Sequence, residues 1–194
     1  MRKILIATHN QGKLEEYKSY LSPLGYKLVS LSDLGINNVS PEVGDTFLEV
    51  AQNKAFFYSK FTHLPIVAED SGLEINVLHG FPGVLSNRWM EGDSSEKNLS
   101  IIKKMEGIQD RKAVFKAALV YLFKKERVSF EGQVFGEIAK KPEGIMGFGY
   151  DPIFYIPSKK RNMAQILLLE KNQISHRSQA LQKLVSYLKK YKPE

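Results

Sequence analysis

The sequence predicts an α/β fold, mixed α+β in detail, and three observations carry that expectation. Short apolar runs of strand length alternate with segments whose apolar residues recur at helical spacing. A nearly continuous apolar stretch at 112–123 is followed, after a basic turn, by a second β-rich run at 128–138. That pair reads as a hairpin, so the sheet is mixed rather than purely parallel. The chain of 194 residues, 43% hydrophobic and 25% charged, is long enough to bury a substantial core and short for two independent domains, so a single domain is expected over 1–194.

The opening run KILIA (3–7) reads as a buried strand. From Lys13 onward Leu14, Tyr17 and Leu21 fall at helical spacing until SPLG stops the helix. YKLVSL (26–31) is a strand candidate. The segment 45–61 places Phe47, Val50, Ala51, Ala55 and Tyr58 on one helical face, with Asp45 as a candidate cap. PIVAED (65–70) and the alternating LEINVL (73–78) read as two strands with DSG as the turn between them. Asp93 and Glu96 form a capping-box pattern ahead of Leu99, Ile102 and Met105, so a helix follows the GFPG loop. Past the glycine-rich stretch, 174–191 carries Leu181, Leu184, Val185 and Leu188 in register, with Ser175 as its cap.

Composition narrows the chemistry. Cysteine is absent, which excludes disulfides, thiolate zinc sites and a cysteine nucleophile. The apolar run in MRKILIATHN is too brief for a signal-sequence core or a membrane span, so no membrane partner and a cytoplasmic location are expected. A net charge of +7 favours acidic partners such as nucleotides or nucleic acid. The densest basic stretches, at 123–127 and 157–161, sit in turn-like positions and read as solvated loops.

Four segments carry candidate chemistry, each with a plainer reading beside it. ATHNQGKLEE (7–16) sets Gly12 and Lys13 between a strand and a helix but is not a Walker loop, because Ala7 stands at the first glycine position and Leu14 at the hydroxyl position. Main-chain N–H groups at a helix start, Thr8 and the Lys13 ammonium suit an anion; a capped helix with a surface lysine is the alternative. In VAEDSGL (67–73), Glu69 and Asp70 end an apolar strand as adjacent carboxylates. Hard oxygen ligands of that kind suit Mg²⁺, Glu42 could add a third, and ordinary Asp-Ser-Gly turn chemistry is the alternative. In GFGYDPIFYIP (147–157) paired glycines admit a close ligand, Phe148 or Tyr150 offers a stacking face, and Asp151 before Pro152 is expected to be extended; the alternative is a tight strand entry with core aromatics. In KNQISHRSQAL (171–181), His176 and Arg177 at a helix start oppose the dipole, or else simply face solvent.

In this order the blocks THNQGK, EVGDTF with NKA, EDSGL, GFPGVLSNRW, GFGYDPIF and ISHRSQAL resemble the inosine/xanthosine triphosphate pyrophosphatase family over nearly the whole chain. The resemblance implies a two-lobed fold with a long twisted mixed sheet flanked by helices, an active-site cleft between the lobes, a homodimer, and a divalent cation, Mg²⁺ or Mn²⁺ in its place. It implies hydrolysis of ITP, dITP and XTP to the monophosphate and pyrophosphate. By position, the loop Thr8, His9, Asn10, Gln11, Gly12 and Lys13, with Lys54, would hold the phosphates, and Ser71 would contact substrate. Glu42, Glu69 and Asp70 would serve the metal, with Asp70, Glu69 and Lys13 as the catalytic set. Phe148, Gly149, Tyr150 and Asp151 would form the base pocket, and Lys171, His176 and Arg177 would reach the base edge. Val50, Gln165 and Glu69 depart from residues common in the family, the last keeping a carboxylate. The alternatives are a basic nucleic-acid-binding module, which leaves the carboxylates unexplained, and a pyrophosphatase for modified pyrimidine nucleotides.

Overall fold

The computed structural model describes residues 2–191. Over these, strands β1 (Arg2–Ala7), β2 (Tyr26–Val29), β3 (Ile66–Ile75), β4 (Lys112–Phe123), β5 (Glu126–Ile138), β6 (Phe154–Ile156) and β7 (Arg161–Asn162) form one sheet in the order β2-β1-β3-β4-β5-β6-β7. β1 pairs in parallel with both β2 and β3, and every later pairing is antiparallel, so the sheet is mixed as the hairpin requires. The helices are α1 (Gln11–Leu21), α2 (Phe47–Ser59), α3 (Ser94–Lys104), α4 (Leu168–Ile174) and α5 (His176–Lys190).

The strands β3 and β4 are long enough to serve two hydrophobic cores. Near the β1 side, Ile4, Ile6, Val67, Leu119 and Tyr121 pack against Tyr17 and Leu21 of α1 and Leu181 and Leu184 of α5. On the opposite face, Leu5, Ala7, Ile66, Ala68 and Val120 meet Ala51, Ala55 and Tyr58 of α2. At the far end Leu73, Ile75, Ala113 and Phe115 join Ile101 of α3, Met105 at its C-cap and Phe154 of β6 in a separate cluster. These are the two lobes, and residues 69–72 of β3 lie where the strand passes from one to the other.

Several local expectations are corrected. Asp70, Ser71 and Gly72 make no turn: β3 runs unbroken, pairing them with Ala118, Ala117 and Lys116 of β4. Gly72 serves a close approach instead, since a Cβ there would run into the Ser86 hydroxyl oxygen and lie 2.8 Å from the Gly83 carbonyl. The α2 cap is Thr46, not Asp45; Thr46 and Glu49 form the reciprocal box, and the Asp45 N–H donates to Glu49. On α3 the Asp93–Glu96 box holds, but the buried face is Asn98, Ile101 and Met105, leaving Leu99 half exposed. Asn98 takes a core position because its amide donates to the Gly149 carbonyl at 3.0 Å. α1 starts two residues before Lys13, with Asn10 as its cap, and β2 stops at Val29 because Ser30 and Asp33 close a reciprocally bonded turn. β6 follows the tight turn that the strand-entry alternative for 147–157 describes, whereas the sequence offers no counterpart for the short β7 and α4.

Candidate active site

The pleat of β3 decides what the adjacent acids do. Successive side chains leave a strand on opposite faces, so Glu69 follows Val67 toward α1 and α5 while Asp70 follows Ala68 toward α2. Glu69 is buried and its two oxygens meet Arg177 Nε at 2.9 Å each, Tyr17 Oη at 2.9 Å and Lys13 Nζ at 3.2 Å. Burial alone would raise its pKa; Arg177 and Lys13 overturn that and hold it well below the usual carboxylate range.

From Glu69 the ion pairs continue. Arg177 also donates from Nη1 to Glu16 at 2.7 Å and from Nη2 to the Ser71 hydroxyl at 3.1 Å. The other Glu16 oxygen meets Lys171 Nζ at 3.2 Å, and Lys171 donates to Asp151 at 2.7 Å. Asp151, Glu16 and Glu69 thus alternate with Lys171, Arg177 and Lys13, so the buried charges balance. Asp151 is not extended: it opens a 3-10 turn (Asp151–Ile153), because its carboxylate is drawn back to the Phe148 N–H at 2.9 Å as well as to Lys171. Gly147 has a φ of 81°, and any Cβ there would strike this carboxylate.

On the other face of β3, Lys54 of α2 stands 3.8 Å from Asp70 and 3.9 Å from Glu42, and donates to the Glu69 carbonyl at 3.1 Å. Asp70 is only 4% exposed and its Oδ2 has no partner. Burial, with help from Glu42 and Glu69 and against Lys54 and Lys13, pushes its pKa up to about 6. Burial and the Lys13 charge in turn lower the pKa of Lys54. Glu42, Glu69 and Asp70 therefore do not converge as three ligands, and among the described residues no three acidic or histidine side chains do. The donor set that does fit a hard cation is Asp70, with its unpartnered oxygen, and Glu42. Mg²⁺ commonly takes one or two carboxylates and completes its shell with phosphate and water.

Between the lobes a cleft is lined by Asn10, Lys13, Ser71, Phe148, Lys171 and His176, with Gly149, Tyr150, Asp151 and Arg177 also on its wall. The Phe148 ring lies over the Lys171 ammonium (4.8 Å from the centroid) and the Arg177 guanidinium (5.3 Å). Its edge abuts Gly12, where an added Cβ would come within 2.6 Å. Tyr150 is a buried anchor rather than a free face: its hydroxyl donates to the Ser86 carbonyl and accepts from Trp89 Nε1. His176 is buried and stacked on Phe115 at 4.9 Å, and its Nδ1 has no partner. Burial and the Arg177 charge hold its pKa well below the usual imidazole value, so it is a neutral ring at pH 7. The solvent-facing readings of Lys13, His176 and Arg177 are thereby excluded, since all three are buried.

In the first loop Asn10 Oδ1 accepts from the Lys13 N–H and Thr8 Oγ1 accepts from the Asn10 N–H. Thr8 is part-exposed, His9 and Gln11 are exposed, and Gly12 meets the edge of the Phe148 ring. Four residues at the site escape a sequence reading. Glu16 stands one helical turn after Lys13, a spacing that could have flagged it. Tyr17 reads as core, Asn98 as helix surface and Arg88 as loop. Arg88 bonds the Glu42 carboxylate and donates to its carbonyl at 3.2 Å. Of the two basic stretches, Lys124 and Lys125 turn the β4–β5 hairpin, while Lys159 and Arg161 pair with Glu170. No described helix is long and apolar enough to cross a membrane.

Residues 4–187 match the model of the Ham1 family. The chain is 42% identical over 193 residues to a dITP/XTP pyrophosphatase of Bacillus licheniformis, covering 97% of this chain and 98% of that protein. It is 41% identical over 196 residues to a dITP/XTP pyrophosphatase of Escherichia coli, covering 97% and 99%. Among solved structures, a HAM1 protein from Coxiella burnetii superposes with a TM-score of 0.90 at 36% identity, covering 98% of this chain and all of that one. The Ham1 protein of Staphylococcus aureus superposes with a TM-score of 0.88 at 35% identity, covering 97% and 99%.

Proposed function

The chain belongs to the Ham1 family, and from that premise we propose that it hydrolyses dITP, ITP and XTP to the nucleoside monophosphate and pyrophosphate, removing deaminated purines from the nucleotide pool. The observation that carries the reading is Asp70, a buried carboxylate with one unpartnered oxygen and a pKa of about 6, beside Lys54. Such a group is a base poised near neutrality, suited to take the proton of a water attacking the α-phosphorus.

The rest of the site has a role in that reaction. Asp70 accepts the proton on the oxygen it does not give to the cation, and Lys54 and Lys13 oppose the negative charge that builds on the departing pyrophosphate. The start of α1 turns its positive end toward the phosphates, with Asn10 and Lys13 on the cleft wall. Phe148 supplies the aromatic face for the base, and Arg177 and Lys171, fixed by Glu16 and Asp151, keep the pocket rigid. Neutral His176, on the wall of the cleft, is assigned to the purine edge. Buried donors at a 6-keto oxygen are left unpaired by adenine, which carries an amino group there, and this favours hypoxanthine and xanthine. Asp70 and Glu42 would hold Mg²⁺, or Mn²⁺, which when bound polarises phosphate oxygens and screens them from the carboxylates. Glu69 is assigned to positioning rather than to the cation, because its oxygens are taken by Arg177, Tyr17 and Lys13. A cytoplasmic homodimer completes the proposal.

The test is a panel of nucleoside triphosphates with pyrophosphate and orthophosphate measured separately, with Mg²⁺ and in excess chelator. Pyrophosphate release from dITP, ITP and XTP, slow with ATP and GTP and lost on chelation, is expected. Release of orthophosphate alone, or full activity in chelator, refutes it.

A further inference from the structure

Arg88 reaches across the molecule. It follows the 3-10 turn Gly83–Leu85 on a loop tied to the β6 side of the cleft, yet its guanidinium bonds both the carboxylate and the carbonyl of Glu42, on the segment leading into α2. Those are its only side-chain hydrogen bonds among the described residues. The loop itself is fixed on both sides of Arg88. Ser86 Oγ accepts from the Leu73 N–H at 3.0 Å and donates to the Gly83 carbonyl at 2.6 Å. Trp89 Nε1 donates to Tyr150 at 2.6 Å, and Lys97 donates to the Asn87 carbonyl at 2.7 Å. The backbone is therefore held while the side chain, about a third exposed, keeps a single attachment.

Glu42 is meanwhile shared between two cations, Arg88 and Lys54. It can offer its oxygens to a divalent cation only by loosening them, and a guanidinium released there stands beside the phosphates that accompany the cation. Its planar fork matches two phosphate oxygens as well as it matches a carboxylate. Resting on the function proposed above, we propose that Arg88 is a phosphate-binding residue of this site. It exchanges Glu42 for the β- and γ-phosphate oxygens of the substrate and stays on pyrophosphate until the product leaves. It is the contribution of the wall opposite α1 and α2 to phosphate binding, and it is mounted on the same loop that anchors Tyr150 in the base pocket.

The experiment titrates pyrophosphate calorimetrically, in Mg²⁺ buffer, into the wild-type protein, Arg88→Ala and Arg88→Lys, with steady-state dITP kinetics alongside. Arg88→Ala should bind pyrophosphate at least 10-fold more weakly and raise KM for dITP at least 10-fold, with its melting midpoint within about 2 °C of wild type, as loss of one part-exposed ion pair implies. Arg88→Lys should recover part of the affinity, as a point charge without the fork. Pyrophosphate affinity within twofold of wild type in Arg88→Ala overturns the assignment, as does a wild-type protein that fails to bind pyrophosphate at millimolar concentration. These outcomes are separate from failure of the proposed function, which would appear as a wild-type protein that releases no pyrophosphate from dITP.

Discussion

Replacing Asp70 with Asn should stabilise the fold while removing turnover. The side chain is 4% exposed and its pKa is pushed up to about 6, where a free aspartate titrates near 3.9. That gap already includes the attraction of Lys54 and Lys13, so it measures the net cost of keeping the charge buried, about 3 kcal/mol. Because the folded pKa lies above the unfolded one, the native state takes up its proton first as pH falls. The cost is complete above about pH 6, shrinks between about 6 and 4, and is gone below the unfolded value. Asn is nearly isosteric with the neutral acid, and Lys54 keeps Glu42 and the Glu69 carbonyl as partners. Melting midpoints recorded without divalent cations should therefore rise in Asp70→Asn by up to about 6–12 °C at pH 8, given about 2–4 °C per kcal/mol for a chain of this size. The difference should fade toward pH 4. A variant no more stable than wild type at pH 8 would refute the reasoning, because the burial penalty would then not exist.

Gly12→Ala should push Phe148 aside, since the new methyl would lie 2.6 Å from the ring; dITP binding weaker by up to the worth of the base stack, about 1–3 kcal/mol, is expected, and an unchanged KM would show that the loop can move without consequence. His176 should not titrate in NMR spectra between pH 8 and 6. Its folded pKa lies below the unfolded value near 6.5, so its share of stability is lost as pH falls below that value, opposite in sign to Asp70; an imidazole transition near 6.5 would contradict its burial. Arg177→Gln leaves Glu16 and Glu69 buried with reduced compensation and should cost about 3–5 kcal/mol in urea unfolding, whereas a loss under 1 kcal/mol would show that water reaches the network. Tyr17→Phe removes a hydrogen bond to the charged Glu69 and should cost about 1.5–3 kcal/mol by the same measurement; an unchanged midpoint would mean the phenol is idle.

Much of the fold was legible because its signals are local. The apolar face of α2 comprises the residues that helical spacing picks out, and the Asp93–Glu96 box and the Ser175 cap occur where the pattern places them. The β4–β5 hairpin follows from two β-rich runs around a short basic turn. Asp-Ser-Gly misled because its turn chemistry is also local, and ten consecutive pairings with β4 outweigh it. Leu99 misled because helical spacing does not say which of two adjacent stripes is buried, and Asn98 wins its place through a bond to Gly149, 51 residues away.

The site divides in the same way. By itself the sequence determined the chemical inventory: lysines and main-chain donors at a strand–helix junction, paired acids on a strand, and an aromatic set among glycines. Only the tertiary structure decided which acid does what, because the pleat sends Glu69 to Arg177, 108 residues away, and leaves Asp70 with an oxygen that nothing satisfies. Burial raises the proton affinity of both acids, and only at Glu69 do Arg177 and Lys13 reverse it. Desolvation and long-range ion pairing depend on what the folded chain brings into contact, and no spacing along the sequence encodes that distance.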